Sequence, residues 1–182
     1  MHRETEGALS RRGFLKQTAA LSAFSIVPRH VLGGAGFTAP SDEITRAIVG
    51  VGGMGTGHLG YAGARTVAVC DVDRKHLQSA LDSLEKGVRG CTDFREVLAM
   101  PEVDVVHIAT PPHWHGLISI LAAEAGKDVW CEKPMTRTIG EGRRVVEAVQ
   151  RNGRIFRLNT WFRFRDNYYG YGSTVAPIKQ IV

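Results

Sequence analysis

Short apolar runs separated by amphipathic stretches recur between residues 44 and 160. "ITRAIVG" (44–50), "RTVAVCD" (65–71), "VDVVHIAT" (103–110), "DVWCEKP" (128–134) and "RIFRLNT" (154–160) each read as a strand. The run at 103–110 is apolar almost throughout, as expected of a strand covered on both faces of a parallel sheet. Leu77, Leu81 and Leu84 recur at helical spacing within 73–87. Residues 92–100, "TDFREVLAM", predict a short helix capped by Thr92 or Asp93. Residues 113–127 and 138–153 predict two longer helices. Only "TGHLGYAGA" (56–64), with three glycines, separates the first turn from the second strand, so the first helix must be short. Alternating strands and helices predict an α/β fold, a doubly wound parallel sheet (Rossmann fold), over residues 41–160.

Charge divides the chain differently. Residues 1–40 carry net +3, residues 41–150 net −3 and residues 151–182 net +5, giving +5 for the 182 residues. The excess is terminal and the body of the chain mildly acidic, which takes most of the force from a nucleic-acid reading of the basic pI. At the N-terminus Ser10-Arg11-Arg12-Gly13-Phe14-Leu15-Lys16 precedes an apolar run from Thr18 to Val27, too short to span a bilayer. The pattern closely resembles a twin-arginine export signal, with a basic amphipathic helix as the alternative. Residues 1–40 are thus expected to be a signal peptide and Gly-rich spacer. The expected partner is the twin-arginine translocation machinery, and the expected location is the periplasm or cell envelope. Cleavage and retention as a tether both stay open. The three cysteines, Cys70, Cys91 and Cys131, lack metal or redox spacing and read as small buried groups.

The chemistry concentrates where strands end. "GVGGMG" places Gly50, Gly52 and Gly55 directly after the first strand. Gly50 suits a tight turn, Gly52 a close backbone approach to a pyrophosphate, and Gly55 close packing of helix on strand. Asp71 closes the second strand 21 positions after Gly50, at the spacing of a ribose-binding acid. An acid there favours NAD over NADP by repelling a 2′-phosphate. Arg74 and Lys75 are suited to hold that phosphate, which keeps NADP open. In a parallel sheet ligands sit at the carboxyl ends of the strands, which also brings Thr110–Pro112 and Glu132–Pro134 to one rim. A lysine in "WCEKP", out of place in a core, has a purpose on such a rim.

Taken in order, "GVGGMG", "AVCDVD", "ATPPHWH" and "EKPMT" resemble the glucose–fructose oxidoreductase/inositol dehydrogenase family (Gfo/Idh/MocA) over roughly residues 44–160. The resemblance implies that Gly50, Gly52 and Gly55 form the pyrophosphate loop, lined by Val51, Gly53 and Met54. Asp71 would contact the ribose, and Thr110, Pro111 and His115 would lie beside the nicotinamide. Glu132 and Lys133 match the motif whose lysine lies near the nicotinamide and the substrate hydroxyl, with Pro134 the family's turn proline, often cis. The implied activity is NAD(P)-dependent oxidation of a sugar or polyol hydroxyl, with Lys133 as the catalytic residue.

Members of that family continue into a second α/β domain that supplies most of the sugar pocket. Residues 161–182 read as the start of a truncated domain of this kind, a linker and pocket wall. Their aromatic and basic residues also invite a single-strand nucleic-acid reading, the weaker of the two. Two other functions follow. One is a nucleotide-binding fragment without turnover. The other is a relative that uses transient nicotinamide redox to cleave a glycoside bond. Homo-oligomerisation is an expectation only for a chain carrying the second domain. His113 and His115 could form a metal pair, but no third ligand lies at a telling spacing, and contacts to the cofactor are the preferred reading.

Overall fold

A computed structural model of the chain describes Ala39 and residues 42–160. The expected export signal and spacer, Ala39 apart, and the lead-in at 161–182 lie outside those residues. The chain divides into two units after Asp42, and the fold belongs to the second.

Six strands form one parallel sheet: β1 (Thr45–Val49), β2 (Arg65–Cys70), β3 (Arg89–Cys91), β4 (Val105–Ile108), β5 (Asp128–Glu132) and β6 (Phe156–Asn159). Five helices alternate with them: α1 (Gly53–Leu59), α2 (Arg74–Ser83), α3 (Phe94–Leu98), α4 (Pro112–Glu124) and α5 (Ile139–Arg151). The strand order is β3-β2-β1-β4-β5-β6, so the chain winds outward in both directions from β1. The register aligns Val49 with both Cys70 and Ile108, Ile108 with Cys131, and Glu132 with Asn159. The strand ends therefore form one continuous edge. The expected doubly wound fold is present, with one strand that the sequence pattern hides. β3 has three residues, Arg-Gly-Cys, and lies at the sheet edge with two of them exposed. Such a strand has no apolar run to reveal it.

One sheet face buries Ala47, Val49, Ala68, Cys70, Val106, Ile108, Val129 and Cys131. It packs against α3 and α4. Ile108 and Ile118 meet there fully buried, each contributing about 1.5–3 kcal/mol of transfer free energy. The other face buries Ile48 and Val69 under Ala80 of α2, with Leu77 and Leu81 alongside. All three cysteines are buried, as expected, and burial pushes the Cys70 and Cys131 thiols up to about 12.

The helices start on the residues that ought to start them. Asp73 caps α2 by accepting the Lys75 N–H, and Asp93, one of the two expected caps, accepts the Arg95 N–H to open α3. Thr138 and Glu141 form a reciprocal capping box on α5. Two helices lack a side-chain cap: α4, which opens on Pro111 and Pro112, and α1, whose N-cap is Gly52. The latter begins inside the glycine loop, three residues earlier than the pattern suggests, and its seven residues make it as short as expected.

Candidate functional site

A cavity of about 830 Å³ opens along the carboxyl edge of the sheet. That is ample for a dinucleotide-sized ligand. Its walls come from the loops after β1, β2, β3, β4 and β5, because a parallel sheet sends all of those loops to the same side.

The glycine loop is shaped by close approach. Gly50 has φ +87°, and a Cβ there would stand 2.7 Å from the Thr110 nitrogen. A Cβ on Gly55 would stand 1.8 Å from the Gly50 carbonyl oxygen. Neither position tolerates a side chain. Gly53 faces open space, with nothing within 4 Å of its missing Cβ. Gly52, Gly53 and Met54 line the cavity with Gly50. Val51 and Gly55 do not: Val51 is buried in the core beside Ile48, and Gly55 packs beneath Gly50. Their expected place in the loop is correct, while their side of it is internal.

Asp71 sits one residue beyond β2 and holds this loop. One carboxylate oxygen accepts the Val51 N–H at 2.9 Å, and the other accepts the Asp73 N–H at 2.9 Å. His76 of α2 stands over the same spot, with Nδ1 3.8 Å from the carboxylate and its ring against the position of a Gly52 Cβ. No motif points to His76. Three residues into a helix, it carries no sequence mark of facing the loop after β1.

After β4, Thr110 and Pro111 line the cavity as expected. The Thr110 hydroxyl is buried and has no hydrogen-bond partner among the described residues. His115 is 1% exposed, and both ring nitrogens are engaged: Nε2 faces the Thr110 carbonyl at 2.7 Å and Nδ1 faces the Pro134 carbonyl at 2.6 Å. It is a clamp between two loops. It holds them at the cavity wall, its expected place, and the engagement of both ring nitrogens removes it from any metal pair with exposed His113. Phe94 and Trp114, 6.2 Å apart between ring centroids, add an aromatic wall that no motif announced.

The turn after β5 presents Lys133 exposed on the cavity, and the Lys133–Pro134 peptide is cis. Glu132 borders the cavity too, but its carboxylate is 3% exposed and faces protein donors. His58 Nε2 lies 2.9 Å from Oε1, Asn159 Nδ2 donates to Oε1 at 2.5 Å, and the Lys133 N–H donates to Oε2 at 3.3 Å. Glu132, expected with Lys133 at the cofactor site, thus lies at the cavity wall with its carboxylate held by protein groups. Among the described residues no group of three or more His, Cys, Asp or Glu comes together as metal ligands.

A sheet in this order, with a glycine-rich turn after its central strand and a fixed carboxylate after the next, defines a dinucleotide-binding Rossmann domain. The unpartnered Thr110 hydroxyl and the open face of Gly53 suit that ligand. The family described as "Oxidoreductase family, NAD-binding Rossmann fold" (Gfo/Idh/MocA) matches residues 44–160, and the chain belongs to it. Inositol 2-dehydrogenase of Salmonella paratyphi B is 35% identical over 112 residues, 59% of this chain and 33% of that protein. A glycosyl hydrolase family 109 protein of Shewanella baltica is 30% identical over 156 residues, 76% of this chain and 34% of its own length. The WlbA dehydrogenase of Chromobacterium violaceum, solved with NADH and UDP-GlcNAcA, matches with a TM-score of 0.60 at 30% identity, over 64% of this chain and 34% of that one. The chain thus spans about a third of the length of these relatives.

Proposed function

We propose that this chain is the cofactor-binding half of an NAD(P)-dependent oxidoreductase acting on a hydroxyl of a sugar or polyol. The observation that carries the reading is Lys133, an exposed ammonium on the same cavity as the glycine loop and Asp71. Gly50, Gly52 and Gly53 let the pyrophosphate lie against backbone, and Met54 covers it. Asp71 keeps acceptor capacity for ribose hydroxyls beyond the two N–H groups it already holds. Its charge disfavours a 2′-phosphate, so NAD is the preferred cofactor. Thr110 and Pro111 border the nicotinamide end. The bound nicotinamide supplies the hydride acceptor. Lys133 stabilises negative charge on the substrate oxygen and takes part in moving its proton.

A second reading has its own support. Similarity to the family 109 protein extends over more of this chain than similarity to the inositol dehydrogenase. In that reading the same residues serve a transient oxidation that leads to glycoside cleavage, with no net NADH. Export by the twin-arginine route to the periplasm or cell envelope is part of the proposal and rests on residues 10–27.

Calorimetric titration of the chain with NAD and NADP tests the cofactor reading. Saturable binding with NAD the tighter is expected, and no binding of either would overturn it. Incubation with NAD and a panel of polyols, sugars and aryl glycosides then separates the activities. Absorbance at 340 nm reports net oxidation, and released aryl alcohol without NADH reports cleavage. Binding with neither product leaves a nucleotide-binding fragment.

A further inference from the structure

The mechanism uses Lys133 but leaves unexplained the buried carboxylate beside it. Glu132 ends β5, where a strand-end carboxylate could have been solvated. It is instead buried and surrounded by three donors from three elements. Burying a carboxylate is costly unless it is fully paired, and an apolar residue of similar size would avoid that cost. Its donors are informative. His58 lies in the last turn of α1, the helix that begins in the glycine loop; it is 1% exposed and stacks on Tyr61 at 4.8 Å. Asn159 ends β6. The third donor is the backbone N–H of Lys133 itself.

We propose that His58 and Glu132 are positioning residues that lock the Lys133 turn to the glycine-loop helix. The inference rests on the reading of Lys133 as the catalytic amine. The glycine loop and the lysine lie on loops from different strands, β1 and β5, with β4 between them. The His58–Glu132 contact crosses that gap beneath the cavity and makes the two loops one mechanical unit. Asn159 holds the same oxygen from the far side, so the carboxylate cannot follow α1 alone. His115, through the Pro134 carbonyl, fixes the turn's other flank. The Lys133 backbone is thus held on both sides while its side chain stays free.

Two variants of the 182-residue chain, both of which give up the 3.3 Å contact of His58 Nδ1 with His107, differ in the donor to Glu132. His58→Phe keeps a ring against Tyr61 and removes the donor. His58→Gln returns a donor at the position of Nε2. Amide exchange is first followed by mass spectrometry without cofactor. In His58→Phe, exchange over 131–136 is expected to rise about tenfold or more while 65–70 is unchanged, and His58→Gln is expected to restore the wild-type rate. Acetylation of the Lys133 amine is then followed with NADH held saturating for each variant. Wild type and His58→Gln are expected to be shielded several-fold, and His58→Phe is not. Should His58→Phe fail to fold, Glu132→Gln, which keeps the volume and removes one acceptor oxygen, carries the same expectations. Wild-type exchange over 131–136 in the donor-deficient variant overturns the proposal, as does its failure to recover in His58→Gln. The exchange comparison uses no cofactor, so it decides the lock even if the wild-type amine proves unshielded. That separate result would count against the Lys133 reading alone.

Discussion

Asp71 accepts the Val51 N–H at 2.9 Å, so the carboxylate proposed to meet the ribose also holds the glycine loop in place. The two roles have different consequences. Loss of the loop anchor weakens any dinucleotide, whereas loss of the ribose contact weakens NAD in particular. Hydrogen bonds to a charged group contribute about 1.5–3 kcal/mol each. Asp71→Ala is therefore expected to weaken NAD about tenfold or more. NADP should suffer less, because repulsion of its 2′-phosphate is relieved at the same time. Titration calorimetry with both cofactors checks this. Equal losses would mean that Asp71 acts through the loop alone.

Lys133 is exposed, and its replacement should leave the cofactor cradle standing. In a preparation that turns over, Lys133→Ala is expected to lower kcat by about 10²–10⁴-fold, the usual share of a positioned acid–base group. NAD affinity should change little. Steady-state kinetics beside cofactor titration provide the comparison. Undiminished turnover would remove the lysine from the chemistry.

What is legible in the sequence follows from how local each feature is. β1 and β4 are buried on both faces and announce themselves as apolar runs. The glycine turn and Asp71 lie within one strand–helix–strand unit, so spacing alone brings them together. β3 stays hidden because an edge strand of three residues needs no apolar pattern. His58 and Glu132 are 74 positions apart, and nothing in either neighbourhood encodes their contact. The motif containing Glu132 and Lys133 is readable, but the division of labour within it is not. Glu132 is the last residue of β5 and Lys133 the first of the turn after it, and only the packed fold shows which of them meets protein and which meets solvent.

The glycines of α1 separate packing from propensity. Gly55→Ala places a Cβ 1.8 Å from the Gly50 carbonyl oxygen, a clash with backbone that no rotamer relieves. It is expected to cost about 3 kcal/mol. Gly57, in the same helix, has nothing within 4 Å of where a Cβ would stand. Gly57→Ala should stabilise the fold by about 0.5–1 kcal/mol through the unfolded chain's lost freedom and better helix propensity. Chemical denaturation of the two variants beside the parent gives both signs in one experiment. A destabilised Gly57→Ala would mean that α1 has a neighbour on that side.

His107 lies 3.3 Å from His58 beneath the site, and its pKa is lowered to about 3 by burial first, then by His58 and Arg46. The folded protein therefore holds this ring neutral where the unfolded chain, near the ordinary value of 6.5, takes up a proton. The unfolded state binds more protons in that interval, so stability falls as pH drops from about 6.5 toward about 3 and is fully present above it. One such group contributes at most about 1.4 kcal/mol per pH unit. His107→Gln removes the titration, although it also costs packing against Trp130, whose ring centroid is 5.0 Å away. The variant is thus expected to be less stable at pH 7 yet to lose less on acidification. Urea unfolding at pH 7, 6 and 5 would show its deficit narrowing step by step. A deficit constant with pH would mean that the ring is protonated alike in both states, and that the buried site tolerates a charge that its surroundings argue against.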